Sequence, residues 1–188
     1  MQDTIRAFIA FELPENIISS IRDVQEGMQS YGFKVRWVQP ENIHLSLKFL
    51  GDIHEADIKK IGAAITGTAK KMTPLSIAAK GIGVFPGMKR SRVIWIGLTG
   101  EMGRLIALQK MLDEELGAIG FPKEKRPFKG HLTLGRVKGK LNPERFIAAM
   151  KKFQEFKSET FAADNVFLFK SDLRPTGSVY ARLMSVNL

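Results

Sequence analysis

The feature that most limits how this chain can fold is a short pattern that occurs twice, His44-Leu45-Ser46-Leu47 and His131-Leu132-Thr133-Leu134. In each copy a histidine and a hydroxyl residue alternate with leucines. Successive side chains of a strand point to opposite faces. The pattern therefore predicts two strands whose leucines enter a core while the histidine and the Ser or Thr share the other face. Only three histidines occur in the 188 residues, and two of them stand in this same local frame. Strand propensity favours Val, Ile and aromatic residues and gives no reason for that coincidence. Two imidazoles on opposite sides of a bound phosphate can act as general base and general acid, because histidine titrates near neutral pH. His44, His131, Ser46 and Thr133 are thus the candidate catalytic residues.

The motifs stand 87 residues apart, close to half the chain, and the elements around them recur. Arg6–Phe11 reads as a strand, and Pro14 opens a helix through about Gln29. Val35–Val38 is short and extended, and Ile43–Leu50 is the first motif strand, ended by Gly51. Glu55 to about Lys71 has helical spacing, Leu75–Gly81 and Val93–Leu98 read as strands, and Glu101–Gly117 is an amphipathic helix. Its Met102, Leu105, Ile106, Leu108, Leu112 and Leu116 cluster on one broad, core-facing side. The second motif strand covers about His131–Val137. A helix over Pro143–Phe153 and strands near Phe161–Phe169 and Val179–Val186 follow. Strand and helix alternate in both halves, which points to an internal duplication. The expected fold is α+β and bilobal. Two pseudo-symmetric lobes, each an antiparallel sheet with flanking helices, face each other across a cleft floored by the motif strands, all within one domain over 1–188.

Charge narrows the partner. Lys and Arg number 29 against 19 Asp and Glu, a formal charge of +10, which points to an anionic partner such as nucleic acid or a phosphorylated ligand. Lys59-Lys60, Lys70-Lys71 and Lys151-Lys152 fall on helical faces and read as solvated. Lys89, Arg90 and Arg92 follow the turn-forming Gly83-Val84-Phe85-Pro86-Gly87 and are candidates to present cations at a site rim. The absence of cysteine rules out thiolate metal sites and a cysteine nucleophile. The longest apolar runs, such as Val93–Leu98, are strand-sized, and Met1-Gln2-Asp3-Thr4 lacks the layout of a secretory signal, so the expected compartment is the cytoplasm.

Several fragments in order carry a resemblance. They are Arg6-Ala7-Phe8-Ile9-Ala10-Phe11, then Trp37-Val38, then Asn42 to Gly51 around the first motif. Gly81-Ile82-Gly83-Val84-Phe85-Pro86, Arg92-Val93-Ile94-Trp95 and Phe128-Lys129-Gly130-His131-Leu132-Thr133-Leu134-Gly135-Arg136 follow, with a closing Leu168 to Tyr180. Over nearly its whole length the chain resembles the RNA 2′,3′-cyclic phosphodiesterases, also called 2′-5′ RNA ligases, of the two-histidine phosphoesterase superfamily. One departure is Ser46, where that family usually has threonine. The hydroxyl is kept and the methyl that stiffens its rotamer is lost.

The resemblance implies hydrolysis of RNA 2′,3′-cyclic phosphate ends to 2′-phosphates, with His44 as proton donor to the leaving 3′ oxygen and His131 as proton acceptor from water. The residues alone do not order those two roles. Ser46 and Thr133 can donate to the phosphoryl oxygens, and the scheme needs no metal and no cofactor. Reversal with the proton roles exchanged gives 2′-5′ ligation. The implied partner is RNA with a cyclic end, a tRNA fragment being one candidate, and the expected state is a monomer. The resemblance places Arg136 near the phosphate, whereas strict alternation from His131 puts it on the wrong face unless the strand kinks at Gly135. Lys48 shares parity with His44 and Ser46 and can reach the anion. Phe8, Phe11 and Phe49 read as core, with Phe11 the candidate base-stacking platform; Trp37 and Trp95 are expected to pack. His54 reads as a surface loop or helix start. A three-histidine zinc site lacks the usual ligand spacing. The other class of function is an RNA-end-binding module without catalysis, against which the retention of both histidines and both hydroxyls weighs.

Overall fold

The two motif strands meet at the middle of one antiparallel sheet. The computed structural model describes residues 4–175 and 177–188. Among these the strands are β1 (Thr4–Phe11), β2 (Val35–Trp37), β3 (Leu45–His54), β4 (Leu75–Phe85), β5 (Val93–Gly100), β6 (Leu132–Val137), β7 (Lys157–Ala163), β8 (Asn165–Arg174) and β9 (Gly177–Asn187). The helices are α1 (Glu15–Gln29), α2 (Ile58–Ala69), α3 (Met102–Ala118) and α4 (Pro143–Lys152). The strand order is β7-β4-β5-β6-β3-β1-β8-β9, with β2 added to β6. The β3–β6 ladder consists of the single pair Leu45↔Leu132, so a four-stranded half (β3, β1, β8, β9) and a five-stranded half (β7, β4, β5, β6 with β2) join at the motif strands. This is the expected α+β, two-lobed arrangement.

The lobes are interleaved. The C-terminal hairpin β8–β9 completes the first lobe by pairing β8 with β1, while β7 completes the second by pairing with β4. The helix after β1 crosses to the second lobe, where α1 packs near β7 and Gln25 reaches the Val38 and Leu134 carbonyls. Conversely α3, which follows β5, packs against α2 and β3 of the first lobe. Burial of Ile17, Ile18, Ile21, Val24 and Met28 on α1 and of Leu105, Leu108, Leu112 and Leu116 on α3 follows the helical three- and four-residue spacing. Ile106 falls outside that stripe and is 48% exposed, a correction to the sequence expectation.

Bulges decide which side chains reach the cleft. Ile9 pairs with Lys48 and Ala10 with Ser46, which leaves Leu47 as the extra residue of β3. In β6, Ile94 pairs with Gly135 and Trp95 with Thr133, leaving Leu134 extra. In both strands two consecutive residues turn inward, Leu47 with Lys48 and Leu134 with Gly135, and alternation resumes in opposite phase. Two glycines expected to end strands instead continue them. Gly51 (φ 73°) and Gly81 (φ 67°) sit in the left-handed region at irregularities within β3 and β4, which run on to His54 and Phe85.

Candidate active site

Leu45, Leu47, Leu132 and Leu134 are all buried at 3% exposure or less, so the polar residues between them face the cleft. The Leu45↔Leu132 pair sets their arrangement. Followed one residue to either side of that single pair, the antiparallel chain direction carries His44 toward Thr133 and Ser46 toward His131. Each histidine thus approaches the other motif's hydroxyl, and the two histidines stand diagonally across the Leu45↔Leu132 pair.

The two imidazoles are held alike. His44 Nδ1 lies 2.7 Å from the Asn42 carbonyl oxygen and His131 Nδ1 lies 2.7 Å from that of Lys129. A carbonyl only accepts, so Nδ1 carries the proton and Nε2 is turned toward the cleft for proton transfer. Aromatic rings flank both. Phe8 and Tyr180 lie 4.7 and 5.3 Å from His44, centroid to centroid, and Phe85 and Trp95 lie 5.0 and 6.2 Å from His131. Lys129 Nζ sits 4.7 Å from the centre of the Trp95 ring. The indole itself lies on Gly83, where a Cβ would come within 2.3 Å of it. Burial pushes both histidine pKa values below the ordinary imidazole value, and the hydrogen bonds to Asn42 and Lys129 oppose that shift. The charge of His131 lowers His44 further, and Lys129 and Arg136 lower His131.

A cavity of about 490 Å³ opens beside the motifs, lined by His44, Ser46 and Thr133 among others. His131 stands just outside this lining, across the Leu45↔Leu132 pair, and its charge acts on His44. Four arginines line the same cavity, Arg6, Arg36, Arg136 and Arg174, and none is paired with a carboxylate among the described residues. Arg36 and Arg136 are directly opposite one another on β2 and β6. Like charges so placed repel, and an anion between them removes that cost.

Of the residues expected here, the structure brings together His44, Ser46, His131, Thr133 and Arg136. The bulge at Leu134–Gly135 returns Arg136 to the cleft face, and Gly135 is needed there because a Cβ would meet Val35 at 2.6 Å. The equivalent bulge in β3 removes Lys48, which is 3% exposed, ion-paired with Asp113 and hydrogen-bonded to the Pro122 carbonyl. Lys48 is therefore not an anion ligand. Phe11 is also displaced from the role expected of it. It is 1% exposed within the main core and cannot stack on a base. Phe49, expected in the core, is instead 62% exposed and lines the cavity at the position in β3 that Arg136 holds in β6. Phe8 is buried, as expected, but under the cleft face, in a separate cluster with Phe169 and Tyr180. Trp37 lines the cavity. Arg90 and Arg92 are exposed on the turn beyond Phe85 and do not line the cavity. His54 ends β3 opposite Thr4, away from the motif pair, and no three metal-ligating side chains cluster among the described residues. Arg6, Arg36, Arg174 and Tyr180 escaped the sequence reading. Only Arg6 left a signal, its shared parity with Phe8 and Ala10.

The duplication is also visible in comparison with known proteins. The family described as LigT-like phosphoesterase matches residues 11–95 and again residues 96–180, one match per motif. The chain belongs to this family. As a LigT-like phosphoesterase it is 34% identical over 176 residues to the RNA 2′,3′-cyclic phosphodiesterase of Methanothermobacter thermautotrophicus, covering 94% of this chain and 95% of that one. It is 36% identical over 176 residues to the protein of the same name from Methanocaldococcus jannaschii, covering 94% and 96%. Its fold matches a crystal structure from Thermus thermophilus with a TM-score of 0.81 at 24% identity, covering 98% of each chain. It also matches E. coli LigT complexed with 3′-AMP, with a TM-score of 0.77 at 23% identity, covering 99% of each. No helix among the described residues is long and apolar enough to cross a membrane.

Proposed function

We propose that this LigT-like phosphoesterase hydrolyses RNA ends bearing a 2′,3′-cyclic phosphate to 2′-phosphomonoesters by two-histidine acid/base catalysis, without a metal. The observation that carries the reading is the diagonal pair of imidazoles, each with Nδ1 bonded to a carbonyl and Nε2 facing the cleft, alternating with two hydroxyls. The names of the relatives from Methanothermobacter thermautotrophicus and Methanocaldococcus jannaschii agree with it. Water attacks phosphorus as the bond to O3′ breaks. His131 Nε2 takes the water proton, His44 gives one to O3′, and phosphate stays on O2′. Ser46 and Thr133 donate to the non-bridging oxygens, and Arg136 stabilises the charge that builds there. A 5′-hydroxyl of a second RNA in place of water would give a 2′-5′ linkage without ATP, and in that direction the proton roles of His131 and His44 stay as in hydrolysis rather than being exchanged.

The test is turnover of an RNA oligonucleotide ending in 2′,3′-cyclic phosphate with EDTA present, followed by identification of the product. Release of the 2′-phosphate is expected. A 3′-phosphate product, or activity only with added metal, overturns the reading.

The lowered histidine pKa values fix the expected pH profile. The reactive free enzyme holds one proton on the pair, and that state is most populated between the two pKa values. Both lie below the ordinary value of about 6.5. Hence kcat/KM is expected to peak below neutrality and fall as pH rises. The bound phosphate anion favours imidazolium, so the alkaline limb of kcat is expected at higher pH than that of kcat/KM. A kcat/KM still rising above neutral pH contradicts the burial that lowers the two pKa values.

A further inference from the structure

A second groove, of about 560 Å³, adjoins the catalytic cavity and shares Phe49 and Gly51 with it. Its other wall is the segment 122–126, which brings Lys123, Lys125 and Arg126 to the surface. None of the three is paired with a carboxylate among the described residues. The segment has no helix or strand of its own and is anchored from beneath. Lys48, buried and ion-paired with Asp113, donates to the Pro122 carbonyl at 2.5 Å, and the Asp113 carboxylate accepts the Glu124 N–H at 3.2 and 3.3 Å. The stem of Lys123 lies against α3 at Gly117, where a Cβ would come within 2.8 Å of its Cε. Three cations are thus presented from a backbone tethered on both sides of Lys123. Between them and the histidines stands Phe49, a phenyl ring left 62% exposed on a strand that buries its neighbours Leu47 and Lys48.

A wall carrying three cations against the one exposed carboxylate of Glu124, beside an exposed aromatic ring, suits single-stranded nucleic acid, whose phosphates track the net positive charge while an unstacked base lies on the ring. A duplex keeps its bases stacked and has no use for Phe49. We propose that this groove binds the single-stranded RNA immediately 5′ of the reacting end, with its phosphates on Lys123, Lys125 and Arg126 and a base on Phe49. The proposal rests on the phosphodiesterase reading for its direction, since that reading places the 3′ end at His44 and His131. The groove makes the preferred substrate an oligonucleotide rather than a mononucleotide.

Two measurements test it. The first is binding of a short 5′-labelled single-stranded RNA with a 2′-phosphate end, followed by fluorescence anisotropy over a range of salt, for the wild type, Lys123→Glu/Lys125→Glu/Arg126→Glu and Phe49→Ala. The triple variant is expected to lower the salt slope of log K by roughly 2, at about 0.7 for each phosphate that is no longer neutralised. Phe49→Ala is expected to weaken binding about tenfold or more with the slope retained. The second is the ratio of kcat/KM for an oligonucleotide to that for a mononucleotide 2′,3′-cyclic phosphate, which is expected to fall in the triple variant. An unchanged salt slope, or an unchanged ratio, overturns the groove. If the wild type turns over neither substrate, the phosphodiesterase reading fails, and the salt slope still decides whether the groove binds RNA.

Discussion

Alanine at His44 or at His131 is expected to lower kcat on an RNA 2′,3′-cyclic phosphate by about 10²–10⁴-fold, the usual contribution of a positioned acid or base. Both rings lie on the cleft face, half-buried, with the leucines that hold the strands pointing the other way, so the fold is expected to survive either change. KM is expected to change far less, because Ser46, Thr133 and the cavity arginines remain. The double variant is expected to lose less than the product of the single losses, since the two histidines move protons in one step. A substrate with a nitrophenolate leaving group separates the roles. That anion departs without a proton, so the His44→Ala deficit shrinks while the His131→Ala deficit persists. Equal deficits on both substrates for both variants would falsify the assignment of His44 as acid.

The site was legible in the sequence as far as alternation held. His44 and Ser46, and His131 and Thr133, precede the bulges, so counting by twos placed them together. The same count failed one step later in each strand. An extra inward residue at Leu47 turned Lys48 into the core and Phe49 outward, and an extra residue at Leu134 brought Arg136 to the cleft. A bulge leaves no mark in a hydrophobic pattern when the added residue is itself apolar. Gly135 was the exception, because its lack of a side chain is needed where β2 passes close. Phe11 and Phe8 illustrate a second limit. Both are buried aromatics on β1, yet Phe11 faces the main core and Phe8 the histidine, and only strand parity relative to Leu45 and Ser46 tells them apart. Arg36 and Arg174 reach the cavity through tertiary pairing, Arg36 across from Arg136 and Arg174 from the tip of the β8–β9 hairpin. The hairpin is tied to the first motif by a hydrogen bond from Asn42 Nδ2 to the Ser178 carbonyl at 2.9 Å. No local pattern encodes such contacts.

The lysine removed from the site has its own large expected effect. Lys48 and Asp113 form an ion pair with side-chain exposures of 2% and 13%, and it joins β3 to α3 and, through Pro122 and Glu124, to the segment leading to His131. Lys48→Met leaves the Asp113 carboxylate with only the Glu124 N–H, and Asp113→Leu leaves an ammonium group in the core with one carbonyl. Each single variant is expected to cost about 3–5 kcal/mol of unfolding free energy, because breaking a buried pair strands the other charge. Removing both charges together strands neither. The double variant Lys48→Met/Asp113→Leu is therefore expected to return to within about 1 kcal/mol of wild type, since apolar replacements of buried pairs are often neutral. Urea denaturation of the four proteins measures this cycle, and single losses that simply add would show that the pair has no mutual dependence. The recovered double variant should still lack the hydrogen bond from Lys48 to the Pro122 carbonyl. Its stability and its RNA affinity then separate two roles of one lysine. Neutralising a buried carboxylate restores the first, whereas holding the basic segment at the cleft needs the ammonium group itself.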